Sequence, residues 1–147
     1  ATNTNIRQFV RICGDSPLID PALIDQGVYI ASSGNFDLVT NILVRTYPIG
    51  QSVEIVSTRA LLRLADEEKE QMDIEHVTVG FYRKNSNYRV ESFTHDRDYG
   101  DIRLAVDTEQ DLQSISKIVS SGDAMSLGWE ALANRAQSLN SEVKSSG

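Results

Sequence analysis

Residues 6–21 read Ile-Arg-Gln-Phe-Val-Arg-Ile-Cys-Gly-Asp-Ser-Pro-Leu-Ile-Asp-Pro. Ile6 to Cys13 mixes apolar and polar residues around Phe9, Val10 and Ile12, and Gly14 ends the run. That is the pattern of a strand entering a tight turn, Gly14-Asp15-Ser16-Pro17. Asp20-Pro21 then supplies a helix cap followed by proline at the first helical position, where its missing N–H costs nothing. Leu23, Ile24, Gly27, Val28 and Ala31 recur at helical spacing, and Ser33-Gly34-Asn35 closes the element. A strand, a turn and an amphipathic helix in that order open an α/β layer structure.

The rest of the chain continues the alternation. Phe36 to Thr40 is a short strand, and the proline-bearing loop Arg45 to Gly50 leads into a second, Val53 to Val56. Ser57 or Thr58 caps a helix whose apolar side is Ala60, Leu61, Leu62, Leu64 and Ala65, and the acidic run Asp66 to Glu70 reads as its solvated end. A further helix is expected over Ile74 to Lys84 with Val77, Phe81 and Tyr82 inward. Tyr88 to Thr94 alternates as a strand, and Ile102 to Val106 reads as a central one. Helix follows from Glu109 to Val119, Gly122 breaks it, and Ala124 to Leu139 is amphipathic, with a frayed tail from Ser141 to Gly147. This order implies a largely parallel sheet, in which ligands bind beyond the carboxyl ends of the strands.

Composition narrows the function classes. The 147 residues carry 14 Lys and Arg against 21 Asp and Glu, a net charge of −7. Such a chain lacks the basic field that a general binder of nucleic acid or anionic membrane needs. The lone Cys13 excludes an intrachain disulfide and a multi-cysteine zinc site, suits a reducing cytoplasm, and within its strand reads as a packing thiol. No apolar run approaches the roughly 20 residues of a membrane span. The opening residues also lack the charged-then-apolar pattern of a leader.

Two acids follow apolar strands directly, Asp15 after the first and Asp107 after Ile102 to Val106. A hard divalent cation such as magnesium takes one or two carboxylates together with substrate phosphates and water, and these two could supply that set. Each also has a purely structural reading. Asp15 can initiate the turn ahead of Ser16-Pro17, and Asp107 or Thr108 can cap the next helix, since Thr108-Glu109-Gln110-Asp111 fits a capping box. Arg103, inside an apolar strand, is open to three readings: a core ion pair, an edge-facing residue, or a binder of phosphate or carboxylate. Glu75-His76 is not a zinc motif, because adjacent helical residues diverge and no second histidine lies one turn away; His95 falls in a loop. Tyr47 and Tyr82 fit a core as well as a ligand-stacking role.

The segment Arg11-Ile12-Cys13-Gly14-Asp15-Ser16-Pro17-Leu18-Ile19-Asp20-Pro21 resembles the R-x-T-G-D-C-P-L-I-D-P signature of bacterial sugar-activating cytidylyltransferases. These are the spore-coat polysaccharide type, related to acylneuraminate and keto-deoxy-octulosonate cytidylyltransferases. Three further blocks match in order. Thr46-Tyr47-Pro48-Ile49-Gly50 with Val53-Glu54-Ile55 is similar to T-Y-P-x-G-x-x-V-E-V. Glu75-His76-Val77-Thr78 is similar to R-E-H-V-T, and Arg103 to Leu112 is similar to R-L-T-V-D-T-x-E-D-L.

The resemblance implies a partial Rossmann-like (GT-A-like) α/β/α sandwich with a mostly parallel mixed sheet. It implies transfer of CMP from CTP to a sugar or sugar acid with release of pyrophosphate, for surface-polysaccharide biosynthesis. It further implies that Asp15 and Asp107 hold Mg2+ on the nucleotide phosphates, and that Tyr47, Glu54, Glu75, His76 and Arg103 line or brace the sugar pocket. Residues 1–122 then form the C-terminal portion of the α/β domain, and 123–147 a terminal helix and tail.

The departures carry their own expectation. The family's nucleotide-holding loop, R-x-x-S-x-R-L-P-G-K, has no counterpart here, so the chain is expected to be the metal and sugar side of a transferase, inactive in isolation. Ser16 replaces a usual Cys, Gln51-Ser52 a usual Leu-Asp, and Val79-Gly80 a usual Pro-Tyr. The alternative is a non-catalytic half-fold acting as an interaction module or by self-association. Unpaired strand edges would favour a homo-oligomer, with the Ala124 to Leu139 helix either at the contact or packed on its own core.

Overall fold

The computed structural model describes residues 5–67, 77–83, 87–120 and 122–145. Among the described residues four strands form one mixed sheet in the order β1-β3-β2-β4, with β1 at Gln8–Arg11, β2 at Leu38–Thr40, β3 at Glu54–Ser57 and β4 at Val90–Ser92. β3 runs antiparallel to both β1 and β2, and β2 runs parallel to β4. Three strands therefore point one way and β3 alone points back. The carboxyl ends of β1, β2 and β4 share a rim with the amino end of β3, and across it the register aligns Arg11, Glu54, Thr40 and Ser92.

Alternation along the strands sends side chains to two separate cores. On one face Leu38 and Val56 pack with Ala60, Leu64 and Phe81. Ala60 and Leu64 come from the helix α2 at Thr58–Glu67, whose first turn is capped by the Ser57 hydroxyl accepting from Ala60 N–H at 3.3 Å. Leu62, expected on its apolar side, faces solvent. On the other face Val39, Val53 and Ile55 meet Leu23 of α1 at Pro21–Ser33 and the helix α4 at Trp129–Ser145. Gly27 lets α1 approach: a Cβ there would lie 2.3 Å from Ile55 Cδ1.

Asp20 does more than begin α1. One carboxylate oxygen accepts from Ala22 N–H at 2.8 Å and the other from Trp129 N–H at 2.8 Å, so a single side chain caps α1 and also the start of α4, 109 residues beyond it. Trp129, Leu132, Ala133 and Ala136 of α4 belong to the main core. The apolar face of that helix is thus used internally, while Met125, in the short turn ahead of it, is 81% exposed.

Other differences from the expected elements have local causes. The span Ile74 to Lys84 is described only at 77–83, as a turn and a 3-10 helix at Val79–Tyr82, with Phe81 buried. Ile102 to Val106 is extended and largely buried but forms no ladder. It meets the 47–50 loop in one parallel bridge, Ile49 with Arg103, because its neighbours are loops rather than a strand. The Ala124 to Leu139 helix divides into a 3-10 turn at Ala124–Ser126 and α4, and the helix continues to Ser145 where fraying was expected. Cys13 is only partly buried. Among the described residues no helix is long and apolar enough to cross a membrane.

Candidate active site

The rim that collects the carboxyl ends of β1, β2 and β4 is where an α/β sheet binds its ligands. Beyond it, the Asp15 turn and the segment bearing Asp107 lie side by side: Val106 N–H donates to the Asp15 carbonyl at 2.8 Å. The two acids singled out from sequence are therefore on adjacent chain segments, despite their separation in the chain. The Asp15 turn is closed by Ser16 N–H donating to the Cys13 carbonyl, and the Ser16 hydroxyl donates to Asp15 Oδ1 at 2.9 Å.

Gly50 makes this adjacency possible. Its φ of 96° lies in the left-handed region, and a Cβ there would sit 2.5 Å from the carbonyl carbon of Leu104. Ile49 N–H and carbonyl bond Ile102 O and Leu104 N at 2.8 and 2.7 Å, so the 102–106 segment is held flush against the loop. Leu104 anchors it from beneath as a fully buried side chain.

Arg103, in the exposed position of this segment, is an ion-pair fork. Its Nη2 donates to Asp107 and its Nε to Asp111 Oδ1 at 2.9 Å. Asp111 Oδ2 in turn accepts from Asp107 N–H, Thr108 N–H and the Thr108 hydroxyl, at 3.1, 2.9 and 2.9 Å. With Thr108 capping the Asp111 N–H, this is the capping box that begins the helix α3 at Glu109–Val119. Partial desolvation pushes the Asp111 carboxyl up, but the bonds from Asp107, Thr108 and Arg103 outweigh it and lower it to about 2.

Glu54 occupies a different setting. It is 2% exposed and its carboxylate accepts from Arg11, from the Tyr82 hydroxyl and from Thr78 Oγ1 at 3.3 Å. Burial and the neighbouring Glu54 charge push the Tyr82 hydroxyl well up, so it remains a donor. Glu54 braces the rim through Arg11 and Tyr82. Sequence reasoning marked Glu54 but missed Tyr82 and Thr78 as its partners; the signal was a carboxylate inside an apolar strand.

Tyr47, expected from the resemblance to face substrate, is 3% exposed, with its ring walled in by Phe93, His95 and Trp129. In this fold it is a core residue, because the loop that carries it turns inward beneath α4. Glu75 and His76 lie outside the described residues. Gln51 is also buried, and its amide bonds the Leu18 carbonyl and the Asp20 N–H, which ties the loop to the start of α1.

The donor chemistry suits a hard divalent cation: two carboxylates on segments joined by the Val106 to Asp15 hydrogen bond. Among the described residues no three His, Cys, Asp or Glu side chains gather as a metal cage.

A family model described as cytidylyltransferase matches residues 1–138. The fold superposes on the structure of a cytidylyltransferase from Leptospira borgpetersenii serovar Hardjo-bovis with a TM-score of 0.77 at 24% identity, over 93% of this chain and 58% of that one. The present chain thus spans somewhat over half the length of that protein. No curated protein matches the sequence.

Proposed function

Because the chain belongs to the cytidylyltransferase family, we propose that its Asp15–Asp107 rim is the metal and acceptor side of an enzyme moving CMP from CTP to a sugar or sugar acid. The reading extends to the spore-coat polysaccharide type, to a cytoplasmic setting and to Mg2+ as the cation. The observation that supports it is the Val106 to Asp15 backbone hydrogen bond, which joins the segment bearing Asp107 to the turn bearing Asp15.

In the reaction, an acceptor oxygen forms a bond to the α-phosphorus as the bond from that phosphorus to pyrophosphate breaks. A bound divalent cation supplies neutralisation of the phosphate charge. Asp15 and Asp107 are the residues that would hold it, the former steadied by Ser16 and the latter by the capping box of α3. Arg11, fixed by buried Glu54, keeps the end of β1 in place below the Asp15 turn. Arg103 lends positive charge beside Asp107.

The test is pyrophosphate release from CTP with a panel of sugars and sugar acids, run on this chain and on the polypeptide of its complete reading frame. The expected result is CTP-dependent release from the latter that is lost in D15N and D107N. Release that is indifferent to both substitutions would contradict the reading.

A second reading is favoured by the free edge of the sheet. Among the described residues β1 pairs only with β3, and Ile6, Val10 and Ile12 are exposed beside that edge. Such an edge favours strand addition, so the chain self-associates through β1. Sedimentation is expected to show a dimer that a lysine at Val10 disperses; a monomer at high concentration would end this reading.

A further inference from the structure

We propose that Arg103 is a built-in occupant of the Asp107 carboxylate, which a divalent cation displaces, and that Asp111 keeps the released guanidinium tethered at the site. The proposal rests on the metal reading of Asp15 and Asp107. Its basis is the asymmetry of the two ion pairs made by one arginine. The Asp111 side chain is 14% exposed, and its oxygens also accept from Asp107 N–H, Thr108 N–H and the Thr108 hydroxyl. The Asp107 side chain is 52% exposed, and among the described residues its carboxylate is met by Arg103. One partner is therefore fixed and the other exchangeable.

The geometry of the fork makes the exchange local. Arg103 uses Nε for Asp111 and Nη2 for Asp107, so letting go of Asp107 leaves the other bond in place. Its backbone is pinned on both sides by the bonds of Ile102 and Leu104 to Ile49. An exposed ion pair contributes little, so a doubly charged ion readily replaces it. The freed guanidinium edge then offers planar N–H donors suited to phosphate oxygens. Arg103 is thus a positioning residue that neutralises Asp107 before the ligand arrives and serves the phosphates afterwards.

The test uses the whole chain and Mn2+ alone, with free ion counted by electron paramagnetic resonance at several salt concentrations. R103Q is expected to bind Mn2+ about two- to fivefold more tightly than the unaltered chain, the range of an exposed pair. Its affinity should also fall more steeply with salt, because one compensating positive charge is gone. R103K, whose single ammonium cannot hold both carboxylates, should tighten to an intermediate degree and carries the test if R103Q does not fold. Unchanged or weaker affinity with an unchanged salt slope in the folded variants would overturn the proposal. D107N separates the two readings. If it loses Mn2+ while R103Q behaves like the unaltered chain, only the Arg103 proposal falls; if it binds as before, the metal reading falls as well.

Discussion

Two arginine–carboxylate clusters stand at the same end of the sheet and are built in opposite ways. Around Glu54 the acid is buried and the arginine half-exposed, and Tyr82 and Thr78 complete the carboxylate's bonding. Around Arg103 the guanidinium and Asp107 both reach solvent, and among the described residues the Asp107 carboxylate is met by Arg103. The first arrangement cannot open without leaving a charge stranded in the interior, which is costly. The second can open freely. The contrast separates a locked ion pair from one that can open, without reference to residue type.

Substitutions sharpen that division. R11A strands the buried Glu54 carboxylate and is expected to cost about 3–5 kcal/mol in urea unfolding. A loss below about 1 kcal/mol would show the cluster to be no brace. G50A forces a Cβ into the Leu104 backbone at a positive φ, with an expected loss of about 2–3 kcal/mol, and chemical shifts should move at Val106 and Asp107 although no carboxylate has been touched. Shifts confined to residues 48–52 would break the link between that loop and the site. R103Q, at the exposed cluster, should change stability by no more than about 0.5 kcal/mol.

The smallest effect is a pH dependence. The Asp111 carboxyl is held below its ordinary 3.8, at about 2. A carboxyl lowered by folding stabilises the fold above its ordinary value, and that contribution fades as pH falls toward about 2. Carbon-detected titration should follow Asp111 through a midpoint near 2, and T108A should raise the midpoint by removing a donor. A midpoint near 4 would contradict the capping geometry.

What could be read from sequence was mostly short-range chemistry. Asp20-Pro21 announced α1, and Thr108 to Asp111 announced α3, because a cap and the N–H groups it satisfies are neighbours in the chain. The partners of Glu54 lie 24 to 43 residues away, and nothing local names them. Ile102 to Val106 had the composition of a central strand, yet pairing depends on what comes alongside, and here loops do. Tyr47 looked equally suited to ligand or core until α4 brought Trp129 against it. At the site, the two acids were visible as strand-end residues, whereas the fork of Arg103 between Asp107 and Asp111 needed the backbone turn at Thr108 to exist first.

On the proposed reading, Asp15 and Asp107 serve one ligand. Paramagnetic broadening by Mn2+ tests it directly, read at the amides of 14–16 and 106–108 in a single titration. One shared midpoint for both segments, abolished in both by D15N or by D107N alone, is the expected result. Separate midpoints, or broadening of one segment that survives removal of the other acid, would contradict it.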